Sequence, residues 1–175
     1  MRIRPQKKTP VIPTLPNNWD PREYQKPLWR YMQKGGTRGV QGGHGRWGKD
    51  DVALHFSAGA GGPGGKVGNY WHMLPEYGQG RKVVWNALNP KTGKRRIEEA
   101  FPQWMRRRTS DQEMLIEFKN GSIWQIVGSD NYNSLIGSPP IGIVFSEWAV
   151  ANPLSWAYLS PILEENGGWA IFIYT

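Results

Sequence analysis

The chain has 175 residues, enough for one domain with its own hydrophobic core, since domains most often contain about 100–150 residues. It has no cysteine, which excludes disulfides, thiolate zinc sites and cysteine nucleophiles. Its three histidines lack a metal-ligand spacing, so any bound metal should be held by oxygen atoms. There is neither a membrane-spanning apolar run nor a signal peptide, and the formal net charge of +8 favours a polyanionic partner such as nucleic acid.

The first eighteen residues differ in composition from the rest of the chain. They contain four prolines and four basic residues and no alternating apolar positions, which predicts an extended arm at 1–18 and a domain at 19–175. Asp20 is a candidate helix N-cap, and apolar residues at helical spacing follow it as far as Gly35. Because Pro27 interrupts this pattern, we predict a short helix or a bent pair of helices.

The segment 35–68 is unusually rich in glycine, which occupies thirteen of its thirty-four positions. Glycine weakens helices and strands by about 0.5–1 kcal/mol per site relative to alanine. Within this segment, residues 50–58 still predict a helix, with acidic residues in its first turn and GAGGPGG after it. Residues 38–42 are a poor candidate for a buried strand.

The remainder of the chain alternates apolar strands with helices. Asn120 and Gly121 form a strong hairpin signal between two strand candidates. The predicted strands are 82–88, 113–119, 122–128, 141–145 and 169–174, and the predicted helices are 95–104 and 153–165. Continuous apolar strands separated by helices predict an α/β fold with a mainly parallel central sheet flanked by helices.

The sequence GHGRWGKD at 43–50 has the GxxxxGK spacing of a phosphate-binding loop. Its glycines would let backbone N–H groups surround phosphate oxygens, and Lys49 would neutralise the β- and γ-phosphates of ATP. Asp50 stands where a serine or threonine usually helps to hold Mg²⁺. The alternative interpretation is a flexible glycine loop with an incidental lysine. Arg46 either reaches the transferred phosphoryl group or is a surface arginine.

A second element of nucleotide chemistry follows the predicted strand 141–145. Ser146 occupies the position at which a Walker B strand normally presents aspartate, and Glu147 comes next. We hypothesise that Asp50 and Ser146 have exchanged residue types, so that one carboxylate and one hydroxyl still face the metal. Glu147 would then be the base that orients or deprotonates the attacking water.

Together these segments resemble the large terminase subunit of tailed bacteriophages over nearly the whole chain. WDPREYQ at 19–25 resembles the adenine-side segment, with Tyr24 and Gln25 at its aromatic and glutamine positions. GRWGKDD at 45–51 and VFSEWAVANP at 144–153 resemble the Walker A and Walker B variants, and 118–140 resembles the hairpin and linker between them. IFIYT at 171–175 resembles the strand that leads into the coupling motif, which would begin at Thr175. The phosphate-binding residues so implied are Gly43, His44, Gly45, Arg46, Trp47, Gly48, Lys49, Asp50 and Asp51.

The resemblance implies an ASCE-type P-loop ATPase that uses ATP and Mg²⁺ to drive double-stranded DNA into a procapsid in the host cell cytoplasm. It also implies a homo-oligomeric ring on the portal protein, a small terminase subunit as partner, and a C-terminal nuclease domain beyond residue 175.

Two other functions remain open from the sequence. A helicase-like translocase would share the Gln25 and P-loop logic, whereas a basic nucleic-acid-binding module would make the GxxxxGK match accidental. The basic clusters at 94–96 and 106–108 could line a DNA path or form a solvated helical face.

Overall fold

The computed structural model of the protein describes residues 19–45, 47–135 and 137–175, so the arm predicted at 1–18 lies outside the described residues. One seven-stranded sheet forms the centre of the domain, in the order β1-β7-β6-β2-β5-β4-β3. Its strands are β1 (Arg38–Gly42), β2 (Asn69–Leu74), β3 (Arg106–Ser110), β4 (Leu115–Phe118), β5 (Ile123–Gly128), β6 (Pro140–Phe145) and β7 (Trp169–Tyr174). Along this order, the pairs β1–β7, β7–β6, β6–β2 and β2–β5 are parallel. The pairs β5–β4 and β4–β3 are antiparallel.

Helices cover both faces of this sheet, which confirms the predicted α/β class. They are α1 (Lys26–Gln33), α2 (Lys49–Gly61), α3 (Tyr77–Gly80), α4 (Arg96–Ala100) and α5 (Pro153–Glu165). Short 3-10 turns lie at Glu23–Gln25, Gln103–Met105, Ser129–Leu135 and Trp148–Val150. None of the helices in the described ranges is long and apolar enough to cross a membrane.

Alternate residues of the central strands enter opposite layers of the core. In β6, Phe145 packs with Leu159 of α5 on one face, while Val144 packs with Val52 of α2 on the other. Successive side chains of a strand point to opposite sides, so a strand buried on both faces is apolar throughout. This explains why β6 and β7, whose predicted bounds were 141–145 and 169–174, were well predicted. The helix predicted at 153–165 is α5.

Two predicted elements were wrong. Residues 82–88 do not form a strand; Arg81–Trp85 is a π-helical turn, in which Val84 and Trp85 are buried and Val83 is exposed. A short apolar run has no period that separates a strand from a buried helical turn. The helix predicted at 95–104 is limited to α4, because Phe101 precedes Pro102 and leaves the helical conformation.

The weak strand before the glycine-rich loop exists, but at the edge of the sheet. β1 pairs only with β7 among the described strands, and Val40 is 65% exposed. An edge strand has a single partner and less burial, so it does not need the apolar composition of a central strand.

One of the surplus glycines ends helix α2 in a confined space. A Cβ atom on Gly61 would lie 2.4 Å from the Tyr70 ring, so only glycine allows the helix end to approach β2 this closely. The glycine excess at 35–68 is therefore partly a packing requirement.

The basic cluster at 106–108 lies on strand β3, not on a helical face. Arg106 is buried and its guanidinium donates to the carbonyls of Phe101 at 2.5 Å and Ile97 at 3.0 Å, and it also pairs with Glu98. Burial lowers the Arg106 pKa, and the charge of Glu98 opposes this effect. Arg106 therefore holds the end of α4 and cannot line a DNA path.

We expect Arg106→Ala to lower the free energy of unfolding by about 3–5 kcal/mol, since it leaves buried carbonyls and a carboxylate without their partner. Arg107→Ala removes an exposed pair with Glu117 and should cost no more than about 1 kcal/mol. Urea denaturation of both variants measures the difference, and equal losses would contradict the structural role of Arg106.

Candidate nucleotide-binding site

The predicted site residues meet at the C-terminal edge of the parallel part of the sheet. Gly43 follows β1, Thr175 follows β7, and Ser146 and Glu147 follow β6, the next strand along. Ligands of open α/β sheets bind in the crevice outside this edge. Helix α2 begins here at Lys49, so the positive end of its dipole points at the same crevice.

The loop before α2 is shaped for close backbone approach. Gly48 precedes the helix with φ +75°, a left-handed conformation that strongly favours glycine. Lys49 is 6% exposed, and its Nζ donates to the carbonyl of Gly43 at 2.8 Å and to Thr175 Oγ1 at 2.9 Å. The lysine thus folds back over the loop, and the predicted coupling residue Thr175 contacts it directly. Arg46 lies outside the described residues.

Gln25 holds the loop before α2 through hydrogen bonds to backbone carbonyls. Its Nε2 donates to the carbonyls of Trp47 and Gly48, both at 3.1 Å, and its Oε1 accepts from the backbone N–H of Arg22 at 3.0 Å. Gln25 is 2% exposed, so these contacts are largely shielded from water. Its predicted adenine-side role remains a prediction.

Tyr24 lies beside this support on the surface. Its ring centroid is 5.2 Å from that of Trp47, and its hydroxyl accepts a hydrogen bond from Arg22 Nη1 at 2.6 Å. The two aromatic rings form an exposed wall next to the loop, where the flat face of a base could stack. That stacking also remains a prediction.

Asp50 and Ser146 are in direct contact. The Ser146 hydroxyl donates to Asp50 Oδ1 at 2.8 Å, and His72 Nε2 lies 2.9 Å from the same oxygen. The carboxylate at the start of α2 and the hydroxyl that follows β6 thus lie side by side, and the exchange of their metal-binding roles stays a prediction. His72 was absent from the predicted site.

The charge of Asp50 is maintained by its neighbours. Burial alone would raise the pKa of this carboxyl, but the hydrogen bond and charge of His72, the Ser146 hydrogen bond and the charge of Lys49 together lower it. The carboxylate is thus ionised at neutral pH and available as an oxygen ligand.

These residues fit a Mg²⁺ ion that is bound together with a nucleotide. Within 19–45, 47–135 and 137–175 there is no group of three or more His, Cys, Asp or Glu that would hold a metal alone. Mg²⁺ at nucleotide sites usually takes one or two protein groups, with phosphate and water oxygens as the other ligands. Asp50 has such oxygen atoms, and the hydroxyl of Ser146 lies next to them, 2.8 Å from Asp50 Oδ1.

Glu147 occupies a strained backbone position directly after Ser146. Its φ is 54° and its ψ is 43°, a left-handed conformation that costs a residue other than glycine about 1–3 kcal/mol. Such strain is concentrated at active sites. The turn directs the chain away from β6 and leaves Glu147 at the wall of the crevice.

A cavity of about 250 Å³ lies between these groups. Its walls are formed by Gly45, Gly48, Lys49, Asp50, Asp51, Val83, Arg96 and Glu147. A second cavity of about 390 Å³ shares Gly45, Gly48, Asp51 and Arg96 with it and continues toward Arg22 and Lys91. The structure thus brings residues of the loop together with Asp50 and Glu147 at one crevice.

Three residues of this region were not predicted to belong to the site. Arg96 forms an ion pair with Asp51 inside the crevice, although the pattern placed it in a basic cluster with two possible roles. Val83 was assigned to a strand. His72 carries the only usable signal, since it is a polar residue within the otherwise apolar run of β2, YWHML.

No known protein family and no curated protein sequence matches the chain. Among solved structures, the ATPase domain of the Thermus phage P74-26 large terminase matches with a TM-score of 0.64 and 17% identity, over 91% of this chain and 66% of that one. The large terminase of a second, thermophilic bacteriophage matches with a TM-score of 0.66 and 15% identity, over 87% of this chain and 38% of that one. The complex of that second terminase with ATP-gamma-S gives a TM-score of 0.64 and 16% identity, over 87% and 37% of the two chains.

The chain covers most of its own length in these matches but at most two thirds of the matched chains. At such low identity the likeness is one of fold. It agrees with the seven-stranded, mainly parallel sheet and its flanking helices. The chain therefore has the fold of the ATPase domain of phage large terminases.

Proposed function

We propose that this chain is an ATP-hydrolysing motor domain of a viral DNA-packaging terminase. The observation that carries the proposal is the convergence of Lys49, Asp50 and Glu147 on one crevice, with the buried Ser146 hydroxyl in contact with Asp50. A nucleic-acid-binding module without catalysis has no need for this set. The thermophilic phage terminase with ATP-gamma-S adds support, because that relative in fold binds an ATP analogue.

In the proposed mechanism, Lys49 leaves the Gly43 carbonyl and Thr175 and donates to the phosphate oxygens, aided by the N–H groups at the start of α2. Asp50 and Ser146 would hold the Mg²⁺ ion that accompanies ATP, and this ion would supply positive charge that neutralises the phosphates. Glu147 orients the attacking water and accepts its proton. Arg46 stabilises charge on the transferred phosphoryl group.

The wider role rests on the fold and on the sequence resemblance together. We propose translocation of double-stranded DNA into a procapsid by a homo-oligomeric ring on the portal protein, with a small terminase subunit as partner and the host cytoplasm as location. An endonuclease domain in the full protein belongs to the same proposal. A helicase-like translocase is the alternative, and strand-displacement activity would distinguish it.

Nucleotide binding tests the enzymatic part directly. Lys49→Ala should weaken binding of a fluorescent ATP analogue about 10–100-fold, since a hydrogen bond to a charged group contributes about 1.5–3 kcal/mol. Lys119→Ala is the matched control, because Lys119 is exposed beside the β4–β5 hairpin turn, at the opposite edge of the sheet. If both variants bound like the parent protein, the crevice would not be a nucleotide site.

A further inference from the structure

His72 is a histidine in the interior of the sheet. It lies on β2, level with Val144 of the neighbouring strand β6, and its side chain is 0% exposed. One ring nitrogen, Nε2, contacts Asp50 Oδ1 at 2.9 Å. Because an ionised carboxylate only accepts hydrogen bonds, Nε2 must be the donor.

The second ring nitrogen of His72, Nδ1, makes a buried histidine energetically unfavourable at this position. Nδ1 is buried and has no hydrogen-bond partner among the described residues, and the ring packs edge-on to Trp124 with centroids 6.1 Å apart. A leucine would fill this space without an unpaired polar atom, whose burial is unfavourable. The contact with Asp50 is therefore what the imidazole contributes.

The hypothesis that Asp50 and Ser146 have exchanged residue types at the metal site explains why Asp50 needs such a donor. A carboxylate on the loop helix is packed against the sheet, and burying its charge is unfavourable unless hydrogen bonds compensate. Ser146 provides one donor and His72 provides another, and both converge on Oδ1. The described residues supply no hydrogen bond to Oδ2. The two hydrogen bonds to Oδ1 therefore fix the orientation of the carboxylate and leave Oδ2 without a hydrogen bond from these residues. Asp50 itself lines the crevice.

We propose that His72 is the positioning residue of the metal site: it holds Oδ1 of Asp50 from within the sheet and leaves Oδ2 to the divalent cation of the bound nucleotide. This inference rests on the proposed ATPase function. It assigns to β2 a part in the site that the sequence resemblance does not include.

Three variants separate positioning from packing. His72→Gln keeps an N–H donor at about the reach of Nε2, His72→Asn is polar but too short to reach Asp50, and His72→Leu removes the donor. The probe is Mn²⁺, whose affinity for the protein with bound ADP is measured by electron paramagnetic resonance. Binding of ADP without metal, and thermal melting followed by circular dichroism, are measured in parallel.

We expect His72→Leu and His72→Asn to weaken Mn²⁺ binding about 10–100-fold, as loss of groups that support metal ligands does, with metal-free ADP binding unchanged. His72→Gln should recover most of the affinity. In an Asp50→Ala background, His72→Asn should have no further effect on Mn²⁺. If His72→Leu does not fold, the comparison of the two polar variants decides the question.

Two results would overturn the inference: Mn²⁺ affinity that is unchanged in His72→Asn, or equal losses in His72→Asn and His72→Gln. Failure of the unmodified protein to bind ADP at all would instead reject the proposed function.

Discussion

Replacing Glu147 with glutamine is expected to reduce ATP hydrolysis about 10²–10⁴-fold, the usual contribution of a positioned general base. The amide has nearly the same size as the carboxylate and can occupy the same left-handed turn, but it cannot accept the proton of the attacking water. Nucleotide affinity should be retained, because the binding contacts come from the loop and the start of α2. Steady-state phosphate release and binding of a fluorescent ATP analogue measure the two effects separately.

The matched control is Glu165→Gln, which makes the same chemical change at an exposed position at the end of α5. It should leave both measurements unaltered. Turnover that survives in Glu147→Gln would contradict the role of Glu147 as base. Loss of binding together with turnover would point to a distorted crevice.

The second large effect is expected for Asp50 and Ser146, the two residues that we hypothesise to have exchanged types at the metal site. Asp50→Ser and Ser146→Asp should each lower Mg²⁺-dependent hydrolysis by at least about 100-fold, judged against the 10–100-fold cost of losing a group that only supports a metal ligand. The first leaves two hydroxyls, and the second places two carboxylates where the present oxygens are 2.8 Å apart. The double variant restores one carboxylate and one hydroxyl with their positions reversed. It should regain at least about tenfold over either single variant, because residues in direct contact are energetically coupled.

The measurement is the rate of ATP hydrolysis as a function of Mg²⁺ concentration for the four proteins. Recovery in the double variant can only come from the pair acting together. If Asp50→Ser hydrolysed ATP with an unaltered Mg²⁺ dependence, the exchange hypothesis would be wrong.

The elements that were predicted well from the sequence are those whose amino-acid composition reflects which of their faces are buried. Strands β6 and β7 are apolar throughout because both of their faces are covered, and the Asn120-Gly121 turn joins β4 to β5 as predicted. The sequence indicated Lys49, Asp50, Ser146 and Glu147 because phosphate and metal chemistry demands particular residue types at particular spacings, and their roles stay predictions. The structure then brought them to one edge of the sheet.

The parts that were missed depend on contacts between distant segments. Nothing local distinguishes the π-helical turn at Arg81–Trp85 from a strand, because its burial is decided by packing against β5 and α4. His72 lies 22 residues from Asp50, and their hydrogen bond exists only because β2 enters the sheet beside β6. Arg96 likewise reaches Asp51 across the crevice from a basic stretch whose role the pattern left undecided.

The hydrogen bonds of the Gln25 carboxamide affect the affinity that the loop can have for a phosphate ligand. Because it joins the carbonyls of Trp47 and Gly48 to the turn at Glu23–Gln25, this part of the loop has its shape before any ligand arrives. The conformational entropy of ordering these residues is lost during folding, and it does not have to be lost again on association. A phosphate ligand would therefore express more of its interaction energy as affinity. If Lys49 moves to that ligand, Thr175 loses its hydrogen bond to Nζ, which links binding at the loop to the residue that follows β7.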